Sequence, residues 1–434
     1  MISSDAIAQL KPFQARSIIE ELRKGSVPGE YVPLFTVGRQ NWLTFIEDDL
    51  THYIAEGGSK VRFISGDYGD GKTHFMSVVH HLAMEQAFAV SFVVLTREVP
   101  IHKFETVYQT IVRQLRGKFE GVGIRNMLEA WLTELARANP ALNGKKAEAE
   151  KARADLAAGI QAIDGMDINF VNGLIALINN RFAPVAKGDE EARALAGEVL
   201  LHWFEGGKVT KKELKPFQIY EFLNKTNSKQ FLNSLILFLR HTGHKGLVLL
   251  MDELETVIAQ GASIRNAAYE NVRLLIDNSE SSEHLHIFFS IIPDVLVSEK
   301  GFKSYDALWS RVRSIGESKK LNFRGVLVDI HKTPLTSEEL VELGRHLCTI
   351  HGISYRWDAG DQVTDDLIQE ICASQKRMGV LSEVRLFIKQ MIRILDMAEQ
   401  GESPGQINVD EEIVATRREM DAEKMEHAQP DWDS

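Results

Sequence analysis

The side chains with the clearest chemical role lie in one glycine-rich segment, Gly66-Asp67-Tyr68-Gly69-Asp70-Gly71-Lys72-Thr73. Its spacing matches G-x-x-x-x-G-K-S/T in full, a pattern typical of loops that bind nucleotide phosphates. Glycines let the backbone approach a triphosphate closely, the Lys72 ammonium can reach the outer phosphates, and the Thr73 hydroxyl can take one ligand position on magnesium. The segment therefore predicts a site for ATP and Mg2+, to which we assign Gly66, Asp67, Tyr68, Gly69, Asp70, Gly71, Lys72, Thr73 and the following His74.

The sequence on either side predicts the elements that must hold this loop. Residues 60–65 alternate apolar and polar side chains, which suits a strand, and the apolar residues from Phe75 to Ala83 recur at helical spacing. Where a strand leads into a helix, unpaired backbone N–H groups and the helix dipole favour an anion. A glycine-rich turn that matches the pattern by accident is the alternative, and the flanking elements argue against it.

Two carboxylates, Asp252 and Glu253, follow the apolar run of residues 246–251. In an open parallel sheet the ligand lies beyond the carboxyl ends of the strands, so both acids are predicted to emerge beside the phosphate loop. Asp252 suits the magnesium ion through its water shell, and Glu253 could polarise the attacking water or accept its proton. A solvated acid at the end of a buried strand is the alternative, and Glu255 is predicted to be a helix-start or surface acid.

Three further side chains are candidates for contact with the phosphates. Ser290, inside the apolar run 286–292, could hydrogen-bond the attacking water or the terminal phosphate, or simply be satisfied by its own sheet. Arg311, with Arg313 as the second choice, could offset transition-state charge at a neighbouring subunit's nucleotide, and a solvated surface pair is the alternative. Arg385, near the start of a predicted helix, could fold onto the phosphates and respond to bound ATP.

A short segment upstream of the loop, Val37-Gly38-Arg39, leads into a helical stretch that contains Trp42 and Phe45. Many ATPases with this kind of loop place such a segment against the adenine ring. We therefore assign Val37, Gly38 and Arg39 to the nucleotide site, with an ordinary helix start as the alternative.

Composition indicates a globular chain of 434 residues with a formal net charge of −11. Residues 401–434 hold ten acidic and three basic side chains, so most of the negative charge belongs to the C-terminal segment. Cys348 and Cys372 are too few for a disulfide framework or a cysteine-based zinc site, and they are predicted to be core residues of a reducing cytoplasm. The longest apolar runs have the length of strands, so a soluble, cytoplasmic protein without a membrane segment is expected.

The order of the patterns predicts an α/β fold in which strands and helices alternate around a long helical insertion. Strands are expected at 60–65, 89–95, 246–251, 286–292 and 326–330, and helices at 10–24, 337–350, 362–376 and 382–399. We divide the chain into an N-terminal helix and connector (1–35), a first core part (36–116), the helical insertion (117–242), a second core part (243–335), a helical lid (336–400) and a flexible or loosely helical acidic tail (401–434).

Together these landmarks resemble the AAA+ ATPases, within them the origin-recognition/Cdc6-like branch, and more narrowly the ATP-binding protein of BREX anti-phage defence systems. The narrower resemblance rests on residues 15–25, on the block from Gly66 to Phe75 and on Met251-Asp252-Glu253-Leu254-Glu255. It implies a P-loop AAA+ domain, a parallel sheet flanked by helices, with Walker A in 36–116 and Walker B, sensor 1 and an arginine finger in 243–335. It also implies a bacterial defence role alongside a helicase and a DNA methyltransferase.

The resulting hypothesis is an ATP-binding and hydrolysing protein that self-associates with nucleotide and assembles or remodels a defence complex on DNA. Direct sequence-specific DNA recognition is not expected, because the tail after the lid is too short for a winged-helix domain. One alternative is a nucleotide-gated switch or scaffold with negligible turnover. Another is a DNA-translocating motor, which would require basic loops that face a pore. The basic cluster Lys208-Val209-Thr210-Lys211-Lys212 could supply such a loop, and a solvated loop is the simpler explanation.

Overall fold

The computed structural model describes residues 4–184, 188–277, 282–313, 321–403 and 407–428. Strands form at all five predicted places. The strands are β1 (Ser59–Ser65), β2 (Ala89–Val94), β3 (Leu247–Asp252), β4 (Leu285–Ile291) and β5 (Leu327–Asp329). The helices are α1 (Ser4–Ala8), α2 (Pro12–Arg23), α3 (Gln40–Asp49), α4 (Lys72–Glu85), α5 (Phe104–Gln114), α6 (Ile124–Ala138), α7 (Lys146–Gln161), α8 (Ile168–Phe182), α9 (Glu190–Phe204), α10 (Lys211–Leu214), α11 (Ser228–His241), α12 (Ala262–Asp277), α13 (Pro293–Val297), α14 (Asp306–Val312), α15 (Ser337–Tyr355), α16 (Ala359–Gln362), α17 (Asp365–Arg377), α18 (Val384–Glu399) and α19 (Val409–Ala428).

The five strands form one sheet in the order β2-β3-β4-β1-β5. Strands β2, β3 and β4 pair in parallel, with Ala89 opposite Leu247 and Leu247 opposite Leu285. Every residue of β3 and β4 is buried, which explains why both read as continuous apolar runs rather than alternating ones. The fold is therefore an α/β P-loop domain with a helical insertion and C-terminal helices, as predicted.

By their internal contacts the described residues fall into two compact units. Unit 1 comprises residues 1–44, 64–81 and 328–434, and unit 2 comprises 45–63 and 82–327. The six-segment division drawn from the sequence stays a prediction.

Unit 1 has a core of helices. Helix α15 packs against α2, α17 and α18, and the buried contacts include Ile18, Leu347 and Leu395. Both cysteines lie in this core, where burial raises the pKa of the Cys348 thiol to about 12 and that of Cys372 to about 11. The prediction that they are core residues is confirmed.

Helix α19 occupies much of the predicted acidic tail, of which residues 404–406 and 429–434 lie outside the described residues. It packs against α17 and α18, with Val409, Ile413 and Met420 buried. The tail is therefore a docked helix between residues 409 and 428.

Unit 2 contains the strands β2, β3 and β4 and the helices α5 to α14. Within the described parts of 117–242 there is no strand, as predicted. The helices of this stretch pack around a cluster of aromatic rings, in which Phe170 contacts Trp203, Phe204 and Phe231. Among the described helices, none combines the length and the apolar character that crossing a membrane requires.

Candidate nucleotide site

The glycine-rich loop connects β1 to α4, because β1 ends at Ser65 and α4 begins at Lys72. Gly69 and Gly71 adopt φ angles of 96° and 89°, a left-handed conformation that disfavours other residues. At Gly66 a Cβ atom would lie 2.6 Å from Ile330, so a side chain does not fit there. All three glycines are thus required by the path of the backbone, and the predicted strand-to-helix placement of the loop is confirmed.

Lys72 is buried, and its ammonium lies inside the loop. Nζ donates hydrogen bonds to the carbonyl oxygens of Gly66 at 2.9 Å and Asp67 at 3.3 Å. It also lies 5.0 Å from the centre of the exposed Tyr68 ring. The only cation within the loop sequence is therefore held at the place where phosphates would meet the loop backbone.

Asp70 fixes the shape of the loop from within. Its buried carboxylate accepts a hydrogen bond from the Asp67 N–H at 2.8 Å, and its carbonyl accepts one from Arg39 Nη2 at 2.5 Å. His331 Nδ1 lies 3.0 Å from the same carboxylate and 3.4 Å from that of Asp67. The hydrogen bond to Asp70 raises the pKa of His331, which favours an imidazolium that ties the residues after β5 to the loop.

Asp67, Asp70 and His331 are also a candidate metal cluster, because their ligand atoms lie within 4.8 Å of one another. A protonated His331 between two carboxylates explains the same arrangement without an ion.

His74 links the start of α4 to the upstream segment. Its Nε2 lies 3.0 Å from Thr36 Oγ1, and that hydroxyl donates to the Val32 carbonyl at 2.8 Å. Because the Thr36 hydrogen is already used, His74 Nε2 must be the donor. Burial, with a smaller effect of the Arg39 cation, lowers the pKa of His74 to about 3. His74 is therefore a neutral imidazole with its proton on Nε2.

The Val37-Gly38-Arg39 segment lies beside the loop. At Gly38, where φ is 68°, a Cβ atom would lie 2.6 Å from Leu335, and Arg39 itself adopts a φ of 57°. Burial lowers the pKa of Arg39 to about 10, although Asp70 acts in the opposite direction. Of the three predicted residues, Arg39 contacts the phosphate loop directly, whereas Gly38 lies against Leu335 and Glu339.

Arg385 joins the same cluster from α18. Its backbone N–H donates to the Gly69 carbonyl at 3.2 Å. Its guanidinium lies over Gly25, where an added Cβ would be 2.3 Å from Nη2. Gly25 ends α2 in a left-handed conformation with φ 75°, and the absence of a side chain leaves room for the arginine.

Asp252, Glu253 and Ser290 form a second cluster, in unit 2. Ser290 is fully buried, and its hydroxyl donates to Asp252 Oδ1 and accepts from the Glu253 N–H at 2.9 Å. Glu253 has a φ of 62°, a strained conformation for a residue with a side chain, and its N–H is also held by Asp252 Oδ1 at 3.0 Å. The acids thus leave β3 in a fixed turn, with Glu253 exposed. Glu255 is in the 3-10 turn that follows and is buried rather than on the surface.

Arg311 lies on α14, and the contacts described for it do not include Asp252 or Glu253. Its guanidinium pairs with Asp277, with Nη2 to Oδ2 at 2.9 Å, and Nη1 donates to the Ala307 carbonyl at 2.5 Å. The side chain is about one-third exposed, at 34 %. The predicted arginine is therefore bound within its own chain.

The comparison with protein families identifies the chain. The model of the family described as BREX system ATP-binding protein BrxC/D matches residues 10–413. The chain belongs to this family. The match includes the phosphate loop, the acids after β3 and Arg385. No curated protein and no solved structure matches the chain.

Three residues of unit 1 that contact the predicted site residues were not themselves predicted as site residues from the sequence. They are Thr36, His331 and Gly25. Thr36 and His331 have no local pattern that points to the loop, because their partners are 38 and 261 residues away. Gly25 directly follows the helix predicted at 10–24, and its contact with Arg385 could not be inferred from that position.

Proposed function

We propose that this member of the BREX ATP-binding family binds ATP with Mg2+ at the loop Gly66–Thr73 and hydrolyses it. The observation that carries the proposal is the position of the Lys72 ammonium inside a loop in which Gly69 and Gly71 adopt positive φ angles and Gly66 leaves no room for a side chain. A triphosphate would replace the Gly66 and Asp67 carbonyls as the partner of this cation. That exchange gives a charge-assisted contact in place of neutral ones.

The other cations of unit 1 support the same location. Arg385 reaches the loop through its backbone contact with Gly69, and Arg39 reaches it through the Asp70 carbonyl. The cationic groups of Lys72 and Arg39 thus both lie on this short stretch of backbone. Such a cluster favours a polyanion over a neutral ligand.

The donor set available for magnesium is made of oxygen atoms, as this ion requires. We assign the Thr73 hydroxyl, in the first turn of α4, and the buried Asp252 carboxylate to it. When bound, the ion would neutralise charge that develops on the transferred phosphoryl group.

For hydrolysis, Glu253 is the proposed base. Its side chain is exposed, whereas its backbone is held in a left-handed turn by Ser290 and Asp252. A fixed backbone with an accessible carboxylate is what positioning of a water molecule requires. We therefore propose that Ser290 acts by positioning the Asp252–Glu253 turn.

We further propose that the ATP cycle drives assembly or remodelling of a BREX complex on DNA, with self-association of the chain and with other proteins of the system. In such an assembly Arg311 would serve the nucleotide of a neighbouring subunit. It must first leave Asp277, to which it is bound within its own chain. This pairing also favours a second candidate function, a nucleotide-gated switch with negligible turnover.

Steady-state ATP hydrolysis measured with and without DNA, together with the solution mass measured with and without ATP, separates the two candidates. For the ATPase, Glu253→Gln should bind ATP with nearly wild-type affinity and turn over at least about 100-fold more slowly, as expected for loss of a general base. Wild-type turnover in this variant would remove the role of Glu253. A monomer whose slow hydrolysis does not depend on protein concentration would favour the switch and leave Arg311 without a function.

A further inference from the structure

The segment 208–225 of unit 2 contains two exposed aromatic rings and five exposed lysines, and we call its surface the 208–225 surface. Tyr220 is 66 % and Phe222 is 40 % exposed, although both belong to a chain segment with well-defined backbone contacts. Single exposed apolar side chains are common on protein surfaces. Two aromatic rings only two residues apart, on a held backbone, call for a specific explanation.

The backbone beneath the two rings is anchored by buried polar side chains. Asn169 Oδ1 accepts hydrogen bonds from the N–H groups of Tyr220 at 2.8 Å and Glu221 at 3.3 Å. Trp203 Nε1 donates to the Glu221 carbonyl at 2.9 Å, and Asn227 Nδ2 donates to the Phe222 carbonyl at 3.1 Å. The segment is thus fixed while its rings face solvent, so little conformational entropy remains to be lost when the rings bind a partner.

The charge of this surface is opposite to that of the chain as a whole. Residues 208–225 contain five lysines and two glutamates, in a protein whose net charge is −11. Both glutamates are engaged locally, Glu213 with Thr210 and Glu221 with Asn227. The exposed lysines are Lys208, Lys211, Lys212, Lys215 and Lys225.

Residues of a neighbouring loop extend the positive charge. Burial and the charge of Lys103 lower the pKa of His102, Glu105 acts in the opposite direction, and Lys225 adds a smaller lowering effect. Lys225 therefore lies near the Lys103 loop in space, although the two are far apart in the sequence.

We propose that the 208–225 surface binds single-stranded nucleic acid, with Tyr220 and Phe222 stacking on bases and the lysines contacting phosphates. Base faces are available for stacking in a single strand, whereas in a duplex they are covered by neighbouring bases. An acidic protein partner would also use both the lysines and the rings, since aromatic side chains are enriched at protein interfaces, and the test below distinguishes it from a single strand. The proposal deepens the DNA-directed part of the proposed function and does not depend on ATP hydrolysis.

The test is the anisotropy of a labelled oligothymidylate titrated with the full chain at about 50 mM salt, where phosphate contacts are strong. Tyr220→Ala and Phe222→Ala should each weaken binding roughly tenfold, since stacking contributes about that much per base. Tyr220→Phe should bind like the wild type, because the ring rather than the hydroxyl stacks. Phe13→Ala, which removes a ring that is 69 % exposed in unit 1, is the matched control and should have no effect.

The contribution of the lysines is measured separately, through the salt dependence of binding. For the variant with both Lys211→Ala and Lys212→Ala, the slope of log affinity against log salt should fall by roughly 0.7 for each phosphate that the variant no longer neutralises. The exposed pair Lys145 and Lys146, changed to alanine, should leave the slope unchanged. A ribo-oligonucleotide and a duplex of equal length, run in parallel, distinguish RNA from DNA and single from double strands.

The proposal is overturned if the oligothymidylate does not bind, if the aromatic variants bind it like the wild type, or if the duplex binds as tightly and is weakened equally by the aromatic variants. It is also overturned if Tyr220→Ala loses another BREX protein while keeping its affinity for the oligonucleotide. ATP affinity, measured on the same proteins, should be unchanged in the aromatic variants and at least about tenfold weaker in Lys72→Ala. Failure of the nucleic-acid site and failure of the ATP site are therefore distinguishable.

Discussion

The neutral state of His74 leads to a quantitative prediction about acid stability. Burial and the Arg39 cation lower the pKa of His74 to about 3 in the folded protein, against an ordinary value of 6.5. Between these two values the unfolded chain binds a proton that the folded chain does not. The free energy of unfolding therefore falls as the pH drops below 6.5.

The magnitude follows from the pKa difference. Each pH unit below 6.5 is worth about 1.4 kcal/mol for one such group, so lowering the pH from 7 to 5 should remove roughly 2 kcal/mol. This loss is a substantial part of the ~5–15 kcal/mol that stabilises an ordinary domain.

The assay is denaturant unfolding at both pH values, for the wild type and for His74→Gln. Glutamine does not titrate in this range, and its amide N–H can replace the imidazole as the donor to Thr36. Other buried histidines whose pKa is lowered, His244 and His286, are present in both proteins and cancel in the comparison. The wild type should lose about 2 kcal/mol more than the variant on acidification. Equal losses would refute the neutral, Nε2-protonated imidazole.

Three further predictions concern the elements around the two clusters. Gly25→Ala should cost about 1 kcal/mol of unfolding free energy from backbone strain, with little added by Arg385, because the guanidinium that the new Cβ meets is the end of a flexible side chain and can move, and a much larger loss in denaturant unfolding would contradict this reasoning. His331→Ala should destabilise the protein below pH 6.5 and progressively less as the pH rises through the raised pKa of His331, and a pH-independent loss in unfolding experiments would contradict the ion pair with Asp70. Ser290→Ala should cost roughly 1–3 kcal/mol of stability and slow hydrolysis without weakening ATP binding, and unchanged turnover would exclude a positioning role.

Local signals were sufficient to predict the strand, loop and helix that form the phosphate site. The alternating pattern of β1, the glycine spacing and the helical repeat after Lys72 are contiguous, so no tertiary information was needed. The same applies to the apolar runs that become β3 and β4, which are buried on both faces. Because Asp252 and Glu253 follow an apolar run in the sequence, they could also be predicted to lie at the carboxyl end of β3.

The contacts that hold the site together could not be predicted in this way. His331 meets Asp70 and Thr36 meets His74 only after the chain has folded, and neither residue belongs to a recognisable pattern. Helix α19 was predicted only as a flexible or loosely helical tail, for a related reason. Its composition is strongly acidic, and only a few apolar residues, among them Val409 and Ile413, reveal the face that it buries.

The left-handed turn at Glu253 could not be predicted from the sequence either. Nothing in the sequence indicates a positive φ at a glutamate, because the conformation is imposed by hydrogen bonds with Asp252 and Ser290. Strain of this kind is concentrated at functional sites.

Calorimetric titration of ATP into the wild type and Lys72→Ala, in the presence of Mg2+, tests the central claim most directly. Removing a charge-assisted contact worth about 1.5–3 kcal/mol should weaken binding roughly 10-fold to 150-fold. Lys376→Ala, which removes an exposed lysine of unit 1, is the matched control and should bind like the wild type. Wild-type affinity in Lys72→Ala would contradict the assignment of ATP to the loop Gly66–Thr73.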